Sequence, residues 1–190
     1  MPLAPQSVKD EDSAIRTSRW SNRFILAAIV QGAIITGLTL FFVGSQVLIS
    51  GINIIQFLSL SFEGPAKWFF LGYIFYLILV IAIAVTAVFY RHLEVDMNKK
   101  IRGTRSALVW VHLIGMNVGG AATTMTMIFA GLAGTGIIDV ILSGGSTSSM
   151  QPNVAIMEQF VTPIAALAGL LSIGVLAGGI AYISIYFQRN

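Results

Sequence analysis

Two histidines and three methionines in or near the apolar segments are the side chains most suited to holding a metal ion or a haem. His112 precedes Met116 by four residues, so both side chains share one face of a helix. Met125 and Met127 add soft thioether sulfurs of the kind that copper accepts. Such sites need several donors facing one another, and neither His92 nor His112 lies at mid-segment. We therefore expect this chain to bind no metal and no cofactor.

Catalytic residue patterns are also missing from the sequence. Cysteine is absent, which excludes thiolate zinc sites, disulfides and cysteine nucleophiles. No serine, histidine and carboxylate set lies within the apolar segments, and no glycine-rich phosphate loop follows a strand. Arg91, His92, Glu94 and Asp96 could serve an enzyme that acts on lipid at the membrane surface, but a solvated loop is their ordinary role. We expect no catalytic residue and no enzyme activity from the chain by itself.

Ionisable side chains at membrane depth mark proton, ion or substrate paths. None lies in the middle of an apolar segment; Glu63, Lys67, Asp139 and Glu158 lie near segment ends. The polar residues at depth can satisfy themselves on helix carbonyls or across helix contacts; they are Gln31, Thr36, Thr39, Thr86, Asn117, Thr123, Thr124 and Thr126. This pattern argues against a proton-coupled carrier that works alone.

The elements that carry these residues are membrane helices. Of the 190 residues, 56% are hydrophobic and 10% charged, with a mean hydropathy of +0.84, more apolar surface than a soluble core of this size could hide. Spans of about 30 Å need roughly 20 apolar residues each, and four segments qualify, at about 24–49, 66–90, 107–132 and 160–187. We predict an all-α integral membrane four-helix bundle, a single membrane domain over 24–187. A polar tail, 1–23, precedes it, and residues 188–190 follow.

Basic residues predict the orientation of the bundle. Four Lys or Arg precede the first segment, five lie in the connection after the second, and Arg189 follows the last, whereas Lys67 alone lies on the other side. The positive-inside rule then places both termini in the cytoplasm. The same topology explains the net charge of +3, so we expect no nucleic-acid partner. The apolar connection 50–65 is too short to cross the bilayer and is expected at the interface or against a partner.

Small residues recur at four-residue spacing, the pattern that lets membrane helices approach closely. Gly115 with Gly119 and Gly174 with Gly178 make two GxxxG steps, and Ala28 with Gly32 makes a similar one. Ala33 with Gly37 and Ala165 with Gly169 repeat the spacing. The pattern indicates tight packing within the bundle or against another subunit, although glycine and alanine are also simply common in membrane helices.

The third segment resembles a known membrane helix. Trp110, Ile114, Gly115 and Asn117 (WVHLIGMN), followed by Ala130–Gly134 (AGLAG), resemble the penultimate helix of subunit I of haem-copper oxidases. The direction agrees, and the four segments would correspond to the last four helices of that subunit. This chain has about one extra helical turn before the closing glycines and lacks the family's proline, histidine and arginine pair. The helix that carries the family's haem ligands matches Leu71–Tyr76, which reads LGYIFY, so no haem ligand carries over.

The resemblance implies a non-catalytic integral membrane subunit of a multi-subunit oxidoreductase, a respiratory terminal oxidase in a prokaryotic cell membrane. Its partners would be other integral membrane subunits and lipid. Haem and copper would be held in those subunits. Whether a quinone binds nearby is an open question at this point. The alternative is a small transporter or channel for an uncharged solute. Discontinuous helices or an inverted repeat would favour that alternative, and the two halves show no obvious repeat.

Overall fold

Four long apolar helices make up most of the chain in the computed structural model, which describes residues 18–48, 64–142 and 153–188. Helix α1 is Arg19–Leu48, and α2 runs from Ala66 to Arg91 before a π-helical turn, His92–Asp96. Helix α3 is Thr104–Gly134, the short α4 is Ile137–Leu142, and α5 is Val154–Tyr186. Each of α1, α2, α3 and α5 is long and apolar enough to cross a membrane. The predicted all-α class, with four helices long and apolar enough to span a membrane, is therefore confirmed for the described residues.

Several predicted features lie outside the described residues. They are the tail before Ser18, most of the apolar connection 50–65 with Glu63, and residues 189–190.

Two helices begin earlier than the apolar pattern predicts, because polar residues cap their first turns. Helix α1 begins at Arg19 rather than at 24, since the Glu94 carboxylate accepts hydrogen bonds from its first backbone N–H groups. Helix α5 begins at Val154 rather than at 160, where the Asn153 side chain accepts from the amide of Ile156 at 3.3 Å. Helices α1 and α5 therefore extend by about one to two turns beyond the predicted segments at these ends.

Helix α3 is the centre of the bundle. Of its most apolar stretch, 44% is buried, against 22–28% for the corresponding stretches of α1, α2 and α5. Helix α1 packs along α2, α2 packs along α3, and α5 packs along the other side of α3. The helix that carries the family resemblance is thus the most buried of the four and lies between α2 and α5.

One side of the bundle gathers the start of α1, the end of α2, the start of α3 and the end of α5. Glu94 at the end of α2 reaches the first turn of α1, and Lys99 Nζ in the following loop donates to the carbonyl of Gln188 at 2.5 Å. Gly103, at φ 59°, turns the loop into α3 in a conformation that favours glycine. The two ends of the described chain therefore lie on the same side of the bundle.

Candidate functional site

The middle of α3 touches α5 through backbone atoms. A Cβ atom added to Gly115 would lie 2.5 Å from Cα of Gly174, and one added to Gly174 would lie 2.6 Å from Cα of Gly115. A Cβ added to Gly119 would lie 2.6 Å from the backbone nitrogen of Leu171. Ordinary carbon contacts are about 3.5–4.0 Å, so these positions accept only glycine. The absence of side chains lets dispersion and Cα–H contacts join the two backbones directly.

The same region of α3 departs from regular α-helix. Residues Gly115–Gly120 form a π-helical segment, with Gly115, Met116, Gly119 and Gly120 buried. A Cβ added to Gly120 would lie 2.7 Å from Cδ1 of Leu79, which belongs to α2. The π-helical segment therefore packs closely against α5 on one side and against α2 on the other. Such segments often occur at functional sites, and here the segment coincides with the tightest contacts of α3.

Gly178, the fourth glycine predicted to pack helices, contacts the side chain of His112 instead of a helix backbone. Any Cβ on Gly178 would collide with the imidazole ring of His112, so this glycine makes room for a side chain rather than for a backbone. The Tyr90 hydroxyl lies 3.2 Å from Nδ1 of His112, and Phe24 stacks on the Tyr90 ring at 5.0 Å. The imidazole is thus held by residues from α1, α2 and α5.

A cleft of about 470 Å³ opens beside this histidine, between α2 and α5. Its walls are mostly apolar and aromatic; they consist of Thr86, Phe89, Tyr90, His112, Val175, Gly178, Gly179, Tyr182 and Ile183. Nε2 of His112 has no hydrogen-bond partner among the described residues. When the Tyr90 hydroxyl donates to Nδ1, the neutral imidazole carries its proton on Nε2. The cleft thus places an imidazole beside mostly apolar and aromatic walls, an arrangement that suits a ligand soluble in lipid.

A polar chain of hydrogen bonds joins α1, α2 and α3. The Tyr76 hydroxyl donates to Oε1 of Gln31 at 2.5 Å, and Nε2 of Gln31 donates to Oδ1 of Asn117 at 3.2 Å. Asn117 in turn donates to the carbonyl of Leu113 at 2.8 Å. Every member has a partner, which is what polar groups at membrane depth require. The chain fixes which faces of the three helices meet.

The alanine-containing steps are packed less closely than the glycine steps. Ala28 lies in the core between α1 and α2, but a Cβ added to Gly32 would lie 3.8 Å from Cγ1 of Val80, an ordinary contact. A Cβ added to Gly37 or to Gly169 would meet nothing within 4 Å. The glycines of the small-residue pattern therefore fall into two groups. Those at 115, 119, 174 and 178 pack inside the bundle, whereas Gly37 on α1 and Gly169 on α5 face outward.

The sequence candidates for metal binding are not brought together. Among the described residues, no group of three or more histidine or carboxylate side chains is placed to hold a metal ion. Sδ of Met116 lies 3.9 Å from the hydroxyl oxygen of Thr86, and His92 pairs with Asp96 on the exposed side of the π turn at 2.8 Å. Met125 packs against the core cluster around Tyr76. His112 and Met116 lie in successive turns, but each contacts a different hydroxyl.

Glu94, a candidate for lipid chemistry, has a structural partner instead. Its carboxylate accepts from the Ser18 hydroxyl at 2.5 Å and from the backbone amides of Trp20 and Ser21 at 3.0 and 3.3 Å. The first turn of a helix carries partial positive charge and unpaired N–H groups, so a carboxylate stabilises it. Beside it the Arg23 guanidinium lies 4.6 Å from the ring centroids of both Trp20 and Trp110. This end of the bundle is locked by charge and by aromatic contacts.

Two features of the site were missed by sequence reasoning. The contact between Tyr90 and His112 and the contact between Gln31 and Asn117 were not predicted, and both join residues from different helices. The contact between Gln31 and Asn117 could have been predicted, because both are amide side chains at similar depths in two apolar segments. Such groups form hydrogen bonds with each other across helices in the membrane. No comparable signal in the sequence paired Tyr90 with His112.

Comparison of the chain with protein-family models, with curated proteins and with solved structures gave no match. Function is therefore argued from the helices and their contacts.

Proposed function

We propose that this chain is a non-catalytic integral membrane subunit of a multi-subunit oxidoreductase, and that the complex is a respiratory terminal oxidase. Its role is to provide a helix-packing surface and to separate lipid from a catalytic subunit. Haem and copper belong to partner subunits in this proposal. In this proposal both termini are cytoplasmic, because ten of the eleven basic residues precede the first apolar segment, follow the last, or lie in the connection after the second. The membrane is proposed to be that of a prokaryotic cell.

The observation that carries the subunit role is an outward face of small residues on α5. Thr162, Ala165, Gly169 and Ser172 follow one another at three- and four-residue spacing and are all exposed. They lie opposite the face of α5 that packs on α3. A Cβ added to Gly169 would meet nothing within 4 Å, and the Ser172 hydroxyl is satisfied by the carbonyl of Ala168 at 2.9 Å.

A second helix explains this face better than lipid does. Glycine in a helix interior is about 0.5–1 kcal/mol less favourable than alanine, and at Gly169 no contact within the described chain offsets that loss. A partner helix packed on small residues recovers it through close backbone approach. Within the bundle, Gly115 and Gly174 already make such a close contact between two helix backbones.

The choice of an oxidase rests on the resemblance of α3. Trp110, Gly115, Asn117 and Gly131, which carry or adjoin the resembling motifs, each contact another helix: Trp110 lies against Trp20, Asn117 binds Gln31, and a Cβ on Gly131 would collide with Phe69. The residues shared with the oxidase helix are thus residues with packing roles. The cleft beside His112 supports a quinone as the neighbouring ligand, since a quinone ring can lie against its aromatic walls and a quinone carbonyl can accept from an imidazole N–H.

Purification through a tag on the full chain, from native membranes in mild detergent, tests the proposal. We expect other integral membrane subunits and a haem-bearing subunit in the preparation. In Gly169→Leu a bulky side chain fills the outward face, and the yield of partners should fall tenfold or more, equivalent to roughly 1.4 kcal/mol of association free energy.

Gly44→Leu is the matched control, because a Cβ added at Gly44 on α1 also meets nothing within 4 Å. It should leave the partner yield unchanged, and both variants should unfold at the temperature of the wild type. A homogeneous homo-oligomer without redox partners would contradict the proposal and favour the small transporter or channel. Equal loss of partners in both variants would contradict the role of the α5 face.

A further inference from the structure

A second cavity, of about 690 Å³, lies at the polar end of the bundle where α1 begins and α2 ends. The loop between α2 and α3 and the first turns of α3 complete it. Its lining residues are Arg19, Trp20, Arg23, Glu94, Asn98, Lys99, Lys100, Ile101, Arg102, Ser106 and Trp110. We refer to it as the basic cleft.

The basic cleft is strongly positive. Five of its lining residues are Lys or Arg and one is a carboxylate, which leaves a formal lining charge of +4. That carboxylate, Glu94, already accepts from Ser18, Trp20 and Ser21 and balances the positive first turn of α1. A concave surface lined by one sign of charge concentrates counter-ions of the opposite sign.

Four of the five cations of the basic cleft, all except Lys99, are not paired with carboxylates of the described chain. No described carboxylate oxygen lies within 4.0 Å of the charged nitrogens of Arg19, Arg23, Lys100 or Arg102. Arg19, Lys100 and Arg102 are exposed, whereas Arg23 is held between two indole rings at 4.6 Å. The cleft thus combines one guanidinium held between aromatic rings with exposed cations around it.

The residues around the basic cleft indicate that it lies at the level of the lipid headgroups. Trp20 and Trp110 line it, and tryptophan favours the membrane interface. The apolar stretch of α1 begins at Phe24, directly after Arg23. Phosphate oxygens match guanidinium and ammonium donors in charge and geometry. We propose that the basic cleft binds the phosphate group of an anionic phospholipid.

Binding of short-chain phosphatidylglycerol to the purified full chain, measured by calorimetry in detergent, tests this assignment. A hydrogen bond from a charged donor to a phosphate contributes at least about 1 kcal/mol, so removal of two such donors in Lys100→Gln with Arg102→Gln should weaken binding at least about 30-fold. The matched control is Arg91→Gln with Arg105→Gln, which removes the same charge from the same end of the bundle but outside the lining of the cleft. The control should weaken binding less than threefold.

Three further arms separate the sources of the signal. Short-chain phosphatidylcholine should bind at least tenfold more weakly than phosphatidylglycerol, and inorganic phosphate should compete only at much higher concentration. Inorganic phosphate that binds as tightly as the lipid would assign the cleft to the free ion and overturn the proposal. Equal weakening by the two double variants would reduce the effect to net charge and would also overturn it.

The last arm concerns the acidic residues Asp10, Glu11 and Asp12, which lie outside the described residues. The variant Asp10→Asn, Glu11→Gln, Asp12→Asn should bind the lipid within threefold of the wild type. Lipid binding that appears only in this variant would mean that the chain's own carboxylates occupy the basic cleft, and would overturn the proposal.

Discussion

Replacing Gly115 by alanine tests the contact that holds α5 on α3. The added Cβ would lie 2.5 Å from Cα of Gly174, about 1 Å short of an ordinary carbon contact. Because backbone atoms form both sides, the helices must separate by about that distance. A gap of 0.5–1 Å forfeits about a quarter to a half of each dispersion contact along the interface. Overpacking of this kind costs about 1–3 kcal/mol.

Alanine also favours the helix by about 0.5–1 kcal/mol over glycine, so the contact must be isolated by a control. Gly169→Ala provides it, since it makes the same chemical change on α5 where an added Cβ meets nothing within 4 Å. The free energy of unfolding, measured by dodecyl sulfate titration in mild detergent and followed by circular dichroism, should be about 1–3 kcal/mol lower for Gly115→Ala than for Gly169→Ala. A difference below about 0.5 kcal/mol would refute the reasoning.

Three smaller changes test other parts of the bundle. Tyr76→Phe removes the hydrogen bond to Gln31 and should lower the free energy of unfolding by about 0.6–1.7 kcal/mol; an unchanged value would mean that the bond adds nothing. Glu94→Gln should destabilise the first turn of α1 by about 0.5–2 kcal/mol and speed amide exchange there, whereas unaltered exchange would rule out the capping role. Gly178→Ala should displace the imidazole that it contacts and shift the nitrogen resonances of that ring, while Gly179→Ala, in open space, should not; matching spectra for the two variants would contradict the packing described.

The membrane helices could be predicted because apolar length alone defines a span. The positions of their ends could not, because the residues that set them are polar. Helix α1 starts at Arg19 through a carboxylate that lies more than seventy positions away, at Glu94. Capping by a distant residue leaves no local sequence signal, unlike the Asn153 cap of α5, whose side chain accepts from a backbone amide three residues later.

The small-residue spacing predicted which glycines can pack but not what they pack against. Gly115 and Gly174 meet each other, whereas Gly178 accommodates the His112 ring and Gly169 faces outward. Helical spacing defines a face, and the relative rotation of two helices decides what that face meets. In α1, α2 and α3 that rotation is set by contacts such as those among Gln31, Tyr76 and Asn117, which are a property of the tertiary structure.

The most direct test of the subunit assignment is a reduced-minus-oxidised absorption spectrum of the assembly purified through a tag on this chain. The account predicts haem bands from a partner subunit that co-purifies in fixed ratio. It also predicts that these bands persist when His92 or His112 is replaced by glutamine. A preparation without haem, or haem bands lost with either histidine, would contradict the assignment of this chain as a non-catalytic subunit of an oxidase.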